Sequence, residues 1–123
     1  MAIGFRKAVE AGDLDGAVAT LAPDVVLHSP VTFRPFEGKE AVALLFSILI
    51  RTFEDFRYVG EFEGDGDAVL HFRTRVGDRE VEGIDMIHTN AEGLIDDFTV
   101  MVRPLSAALA LRDSIGSQLG ATP

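Results

Sequence analysis

Residues 56–103 decide the fold, and they read FRYVGEFEGDGDAVLHFRTRVGDREVEGIDMIHTNAEGLIDDFTVMVR. Apolar and polar side chains alternate along much of this stretch, which is the two-residue period of β-strands. Short segments rich in Gly, Asp and Asn interrupt the alternation at residues 64–67, 77–78 and 90–93. Such segments are typical of tight turns, because glycine adopts a positive φ without strain. The stretch therefore predicts four consecutive strands in an antiparallel meander.

The residues on either side of this meander follow a helical period instead, with apolar residues recurring every three or four positions. Prolines and glycines mark where these segments begin and end. The predicted elements outside the meander are helices at 2–11, 14–21, Lys39 to about Thr52 and Leu105–Leu119, and a short strand at Val25–Ser29.

These elements predict one α+β domain over residues 1–123, because helices that precede and follow a meander must cover one of its faces. Strands of about nine to eleven residues twist and coil strongly. A coiled sheet that is closed by a long helix has an interior. We therefore expect a cone-shaped domain with an apolar pocket.

Composition excludes several classes of function. The net charge is −9, from 11 basic and 20 acidic residues, and no basic cluster is present, which argues against nucleic acid as a partner. The chain has no cysteine and therefore no disulfide or thiolate metal site. The longest apolar run, Ala41–Ile50, is shorter than the ~20 residues that span a bilayer. We expect a cytoplasmic protein that does not bind membranes.

Three segments carry a resemblance to a known family. They are AGDLDGAVATLAPDVV at 11–26, SPVTFRPFEGKEA at 29–41, and the last predicted hairpin, with GIDMI at 83–87 and EGLI at 92–95. In this order they resemble the nuclear transport factor 2-like superfamily, which includes SnoaL-like polyketide cyclases, ketosteroid isomerases and limonene epoxide hydrolases. The resemblance implies a cystatin-like fold, with a strongly curved antiparallel sheet packed against N-terminal helices and one long helix, followed by a C-terminal helix.

The catalytic residues of ketosteroid isomerases match this sequence at one position. Aligned with that group, the general-base aspartate falls on Ser29, the oxyanion-hole tyrosine on Phe5, and the oxyanion-hole aspartic acid on Asp85. Serine lacks the pKa of a carboxylate, and phenylalanine has no hydroxyl to donate. The alignment therefore argues against ketosteroid isomerisation by that group's mechanism. The arginine and paired aspartates of limonene epoxide hydrolases find no match here either.

The resemblance also selects which face of the meander lines the pocket. It implies that Leu70, Phe72, Ile84 and Met86 face outward, where a second copy in a homodimer would cover them. The implied pocket lining is apolar at Phe5, Val9, Phe46, Val69, Phe98, Val100 and Val102, and polar at Ser29, His71, Arg73 and Asp85.

Asp85 is the main candidate for chemistry, because burial raises the pKa of a carboxyl until it can exchange a proton near neutral pH. Alternatively, Asp85 forms a buried ion pair with His71 or Arg73. His71 is a candidate acid or base, or else binds a backbone carbonyl, while Arg73 either clamps an anionic oxygen or reaches solvent. Ser29 is either a ligand contact or a plain strand-end serine.

Three functions remain open at this point. The first is cofactor-free acid/base catalysis, of the isomerase, cyclase or hydrolase type, on a small hydrophobic carbonyl compound. The second is a non-catalytic binding module for a small hydrophobic ligand, and the third is a dimerisation domain. No cofactor or metal is expected, because the three histidines lack ligand spacing and no glycine-rich phosphate loop precedes a helix.

Overall fold

The computed structural model describes residues 3–119, and these form helices and strands in the predicted α+β arrangement. The helices are α1 (Ile3–Glu10), α2 (Leu14–Ala19), α3 (Lys39–Thr52) and α4 (Leu105–Leu119). The strands are β1 (Leu21–His28), β2 (Phe36–Glu37), β3 (Glu54–Gly64), β4 (Asp67–Val76), β5 (Arg79–Thr89) and β6 (Ile95–Arg103).

The strands form one open sheet in the order β2-β1-β6-β5-β4-β3. Strands β3 to β6 pair with their neighbours antiparallel, which confirms the predicted meander. Gly66 and Gly77 have φ of +74° and +62° and form the two tighter turns between these strands. Strand β1 extends the sheet by pairing parallel to β6, and β2 pairs antiparallel to β1.

Strand β1 begins earlier than predicted. Leu21 was assigned to the apolar face of the second helix, but α2 ends at Ala19 and Leu21 is already a fully buried strand residue. Pro23 lies where the pairing of β1 with β6 is interrupted, between Leu21 and Val26. Proline has no N–H to donate to a neighbouring strand, and this gap in the pairing allows Pro23 to lie within β1.

The helices cover one face of the sheet and enclose the core. In α3, Val42, Leu45 and Ile48 are buried against the sheet, and the bounds of α3 and α4 match the prediction. Phe72 and Phe98 are the largest fully buried side chains and come from the middle of β4 and β6. Within residues 3–119, no helix is both long and apolar enough to cross a membrane.

Candidate functional site

A cavity of about 140 Å³ lies between the first three helices and the sheet. Its wall is almost wholly apolar, and the polar side chains in it are Asp13, Tyr58 and Asp85. The apolar lining residues are Phe5, Val9, Leu14, Ala17, Phe46, Leu49, Ile50, Phe53, Phe56, Phe72, Phe98 and Val100.

Asp85 and Tyr58 form a hydrogen-bonded pair in the buried part of this cavity. The Tyr58 hydroxyl donates to Oδ2 of Asp85 at 2.9 Å, and the two residues are only 8% and 6% exposed, respectively. The two residues lie on the strands on either side of β4, since Tyr58 is opposite Phe72 of β4 and Asp85 is opposite Leu70 of the same strand. The long tyrosine side chain therefore reaches over β4 to the carboxyl on β5.

Burial governs the proton affinity of both groups. Loss of hydration raises the pKa of Asp85 from 3.8 to about 7, and the hydrogen bond from Tyr58 opposes this rise. Burial and the neighbouring Asp85 charge hold the pKa of the Tyr58 hydroxyl far above its ordinary 10. Asp85 can therefore gain or lose a proton near neutral pH, while Tyr58 remains a hydrogen-bond donor.

The cavity opens to solvent between the α1–α2 junction and α3. Asp13 and Ile50 line it there and are both exposed. Asp13 caps α2, since its Oδ1 accepts a hydrogen bond from the Gly16 N–H at 2.9 Å. A ligand that enters here passes between apolar walls before it reaches the carboxyl of Asp85.

Two groups of aromatic rings form these walls. Phe5, Phe46 and Phe98 contact one another with ring centroids 5.2 to 5.7 Å apart. In the second group, Phe56 stacks on Phe72 and meets the Tyr58 ring edge-on, in both cases with centroids 5.0 Å apart. Packed rings of this kind adjust little, so the cavity has a defined shape.

The structure places some of the predicted lining residues at the cavity and others elsewhere. Phe5, Val9, Phe46, Phe98, Val100 and Asp85 all line the cavity. Val69, His71 and Arg73 do not, because the paired residues Leu70–Asp85 and Phe72–Gly83 place the even-numbered residues of β4 on the cavity face. The predicted faces of β4 were therefore interchanged, and Leu70, Phe72 and Thr74 are buried rather than outward.

The alternative in which His71 or Arg73 pairs with Asp85 is also wrong. Nε2 of His71 lies 2.7 Å from Oε2 of Glu82, and Arg73 and Arg103 bind the same carboxylate at 3.1 and 2.8 Å. These contacts hold the pKa of Glu82 below its usual range, and the contact with His71 has the largest effect. The cluster lies on the sheet face that points away from the cavity.

Two further predicted contacts lie outside the cavity. Oγ of Ser29 accepts a hydrogen bond from the Val31 N–H at 3.2 Å and so stabilises the turn that follows β1. Val102 is partly buried, packs against the core and lines a surface groove together with His71 and Arg103. Neither residue belongs to the cavity lining.

Tyr58 is the functional candidate that sequence reasoning missed. Its signal was present, since Phe56 and Tyr58 share a face of β3 by alternation and Tyr58 is the single tyrosine of the chain. The predicted lining likewise lacks Phe53, Phe56 and Phe72, although all three line the cavity in the structure.

A curved, mostly antiparallel sheet closed by helices around a cavity defines a protein of the nuclear transport factor 2-like, or cystatin-like, class. Within that class, the SnoaL-like domain matches residues 2–98, and the chain belongs to the SnoaL-like domain family. No curated protein matches the chain.

Solved structures agree with this assignment. An uncharacterised protein with a cystatin-like fold from Silicibacter pomeroyi is 31% identical, with a TM-score of 0.91 over 97% of this chain and 84% of that one. A steroid delta-isomerase from Pseudomonas aeruginosa is 40% identical, with a TM-score of 0.88 over 93% and 85%. An NTF2-like protein of unknown function from Mesorhizobium loti shares the fold, with 18% identity and a TM-score of 0.72 over 81% and 85%.

Proposed function

We propose that the protein catalyses cofactor-free proton transfer on a small hydrophobic carbonyl compound, with Asp85 as the acid/base. The observation that carries this proposal is the position of Asp85. It is a buried carboxyl in an apolar cavity, bonded to a neutral donor, with its pKa raised to about 7. Perturbed carboxyls of this kind in clefts are frequent at active sites.

The chemistry follows from the Tyr58–Asp85 pair. Tyr58 donates to Oδ2 of Asp85, which leaves Oδ1 free to accept a proton from the carbon next to a substrate carbonyl. The electron pair of the broken C–H bond moves toward the carbonyl oxygen and forms an enolate. The same carboxyl, now protonated, returns the proton to that carbon or to another carbon of the conjugated system. The second outcome is an isomerisation and consumes no co-reactant.

The size of the cavity sets the size of the substrate. An apolar cavity of ~150 Å³ holds one benzene molecule, whereas pockets for drug-sized ligands measure ~300–1,000 Å³. At about 140 Å³, this cavity accommodates a single ring. A larger molecule would insert one ring and leave the remainder at the mouth beside Asp13 and Ile50. The similarity to a steroid delta-isomerase supports an isomerisation at this site.

Asp85→Asn is expected to lower the rate of this reaction by at least about 100-fold, because asparagine accepts no proton at neutral pH. The assay follows exchange of the α-protons of a panel of single-ring ketones into heavy water by NMR. Asp65→Asn is the matched control, since Asp65 is an exposed carboxyl in a hairpin turn and does not line the cavity. The proposal fails if wild type and Asp85→Asn exchange every bound ketone equally fast.

A binding module is the second candidate, because the cavity lining is almost wholly apolar and its buried carboxyl already accepts a hydrogen bond from Tyr58. In this case, wild type binds single-ring ketones but does not accelerate exchange. Ligand titrations by NMR on the same samples separate the two candidates. A chain that binds none of these ketones contradicts both and favours a dimerisation domain.

We also propose that the outer face of the sheet forms a homodimer. Phe62, Met86 and Met101 share that face and are 66%, 39% and 50% exposed, and the less exposed Val69 and Ile84 lie between them. An apolar patch of this kind on a sheet face is a typical protein interface.

Charge complementarity favours a second copy of the chain as the partner. Arg73 and Arg103 share the single carboxylate of Glu82 and so give one end of the patch a net positive charge, while Asp67 and Asp97 flank the other end, six residue pairs away. A two-fold axis that lies in the interface and runs perpendicular to the strands would reverse the strand direction in the partner. The arginines of each copy would then face the aspartates of the other.

Met101→Glu is expected to separate this dimer, because it buries a charge in the centre of the interface. Sedimentation at micromolar concentration is expected to give twice the 13.3 kDa chain mass for wild type and the single mass for the variant. Leu105→Glu is the control, since Leu105 is 75% exposed but lies at the start of α4. A wild-type chain that sediments at 13.3 kDa would exclude the dimer.

A further inference from the structure

We propose that Arg6 is a positioning residue for the acid/base pair and acts through the ring of Tyr58. This inference rests on the proposed function, since the group that Tyr58 contacts is Asp85. Arg6 is absent from the cavity lining, so it would act without touching the substrate.

The contacts of Arg6 join two elements of the structure, α1 and β3. Its guanidinium carbon lies 5.7 Å from the centre of the Tyr58 ring. Its terminal nitrogen donates to Glu61 of β3 at 2.9 Å, and Nε donates to Glu10 of α1 at 3.2 Å. The Arg6 side chain is only 28% exposed, which makes these contacts less screened than those of a free surface arginine.

A bulge in β3 makes this arrangement possible. Tyr58 is opposite Phe72 and Gly60 is opposite His71, so one extra residue, Val59, lies between two consecutive pairs. Without that extra residue, Tyr58 and Glu61 would point to opposite faces of the sheet. With it, Glu61 pairs with Leu70 and shares the face of Tyr58, toward α1. The same irregularity therefore supplies both the ring and the carboxylate that hold Arg6.

The position of the cation has a chemical consequence. A positive charge over a phenol ring withdraws electron density and makes the hydroxyl a better donor. The hydroxyl of Tyr58 bonds the ionised form of Asp85 and so favours it. Glu61 and Glu10 fix the guanidinium and raise its pKa. Asp13, the other carboxyl of the cavity lining, lies at the cavity mouth. Loss of Arg6 would then weaken the Tyr58 bond and leave less of Asp85 ionised at neutral pH.

The chain offers a direct measurement, because Tyr58 is its single tyrosine and it contains no tryptophan. With excitation at wavelengths that the nine phenylalanines do not absorb, ultraviolet emission reports Tyr58 alone, and its intensity falls when the carboxyl bonded to it ionises. Titrating the full chain gives a midpoint for Asp85, and Asp85→Asn is expected to remove this transition. Arg6→Met is expected to raise the midpoint by about half a pH unit.

Three further variants complete the experiment. Glu61→Gln is expected to raise the midpoint by a smaller amount, because Arg6 loses its anchor on β3. Arg6→Lys keeps a cation and is expected to lie between wild type and Arg6→Met. Lys7→Met removes a neighbouring exposed charge of the same helix and is expected to leave the midpoint unchanged.

An unchanged midpoint in both Arg6→Met and Glu61→Gln would overturn the positioning role, and so would an equal shift in Lys7→Met. Should Arg6→Met fail to fold, Arg6→Lys and Glu61→Gln decide the question by the same criterion. The titration needs no substrate, so its failure is distinguishable from the failure of the proposed reaction. If the reaction is present, Arg6→Met also moves the pH profile of ketone exchange in step with the emission midpoint.

Discussion

Asp85→Asn is expected to stabilise the folded protein by about 4 kcal/mol at pH 8 and to have little effect near pH 4. Folding raises the pKa of Asp85 from 3.8 to about 7, so between these values the folded state binds a proton that the unfolded state has lost. Stability therefore falls as the pH rises through this window. The difference between the two pKa values corresponds to about 4 kcal/mol. Asparagine stays neutral, and its side-chain oxygen can still accept the bond from Tyr58.

Urea unfolding of both proteins at a series of pH values measures this effect. The free energy of unfolding of Asp85→Asn minus that of wild type is expected to grow from pH 4 to 7 and then to level off. Asp65→Asn, with an exposed carboxyl, is expected to give a flat difference. A flat difference for Asp85→Asn would mean that the carboxyl is hydrated in the folded protein, which contradicts its burial.

This stability result gains meaning beside the exchange assay. A buried carboxyl that costs stability at neutral pH is expected to persist in a protein where function requires it. If Asp85→Asn is both more stable and slower in ketone exchange, the unfavourable burial serves catalysis. If neither protein exchanges ketones, and Asp85→Asn is more stable but binds ketones more weakly than wild type, the carboxyl serves ligand binding instead.

The architecture was predictable from the sequence because its signals are local. The turns after β3 and β4 are marked by glycine and aspartate, and α3 and α4 show helical periodicity within their own lengths. Strand β1 was predicted less well, since Leu21 and Pro23 suit a helix end as well as the start of a strand. Its pairing with the distant strand β6 decides between these possibilities.

The polar residues of the site were harder to predict because β4 is apolar on both faces. Val69 lies on one face, and Leu70 and Phe72 lie on the other, so alternation alone does not say which side is buried. The decision comes from the pairing of Leu70 with Asp85 across strands, which is not a local property. A shift of one residue in the alternation of β4 is therefore enough to place His71 and Arg73 on the cavity face instead of the outer face.

The hydroxyl beside Asp85 was missed for a different reason. Alignment with ketosteroid isomerases directed attention to Phe5 of α1, where no hydroxyl exists. In the structure, a hydroxyl comes from Tyr58 of β3 instead. A partner that reaches over an intervening strand has no sequence spacing that would reveal it. The physical requirement, a donor for a buried carboxyl, was foreseeable, but the element that supplies it was not.

Gly83→Ala is expected to destabilise the protein by about 3 kcal/mol, because the added methyl group has no space. A Cβ at position 83 would lie 2.5 Å from the carbonyl oxygen of Met101 and 2.5 Å from Cζ of Phe72. The first contact is with the backbone of the neighbouring strand, which cannot move without disturbing the pairing of β5 with β6. The second is with a ring that stacks on Phe56 and lines the cavity.

Thermal or urea unfolding of Gly83→Ala measures this cost, and Gly64→Ala is the matched control. Gly64 has an ordinary φ, and a Cβ there would meet no atom within 4 Å, so the control is expected to change stability little. Adding Phe72→Leu to Gly83→Ala removes the ring atoms of the closer side-chain contact. The double variant is then expected to lose less stability than the two single changes predict together. Additive losses would show that the Met101 carbonyl alone makes a side chain at position 83 unfavourable. The position of Phe72 in the cavity wall would then not depend on the absence of a side chain at Gly83.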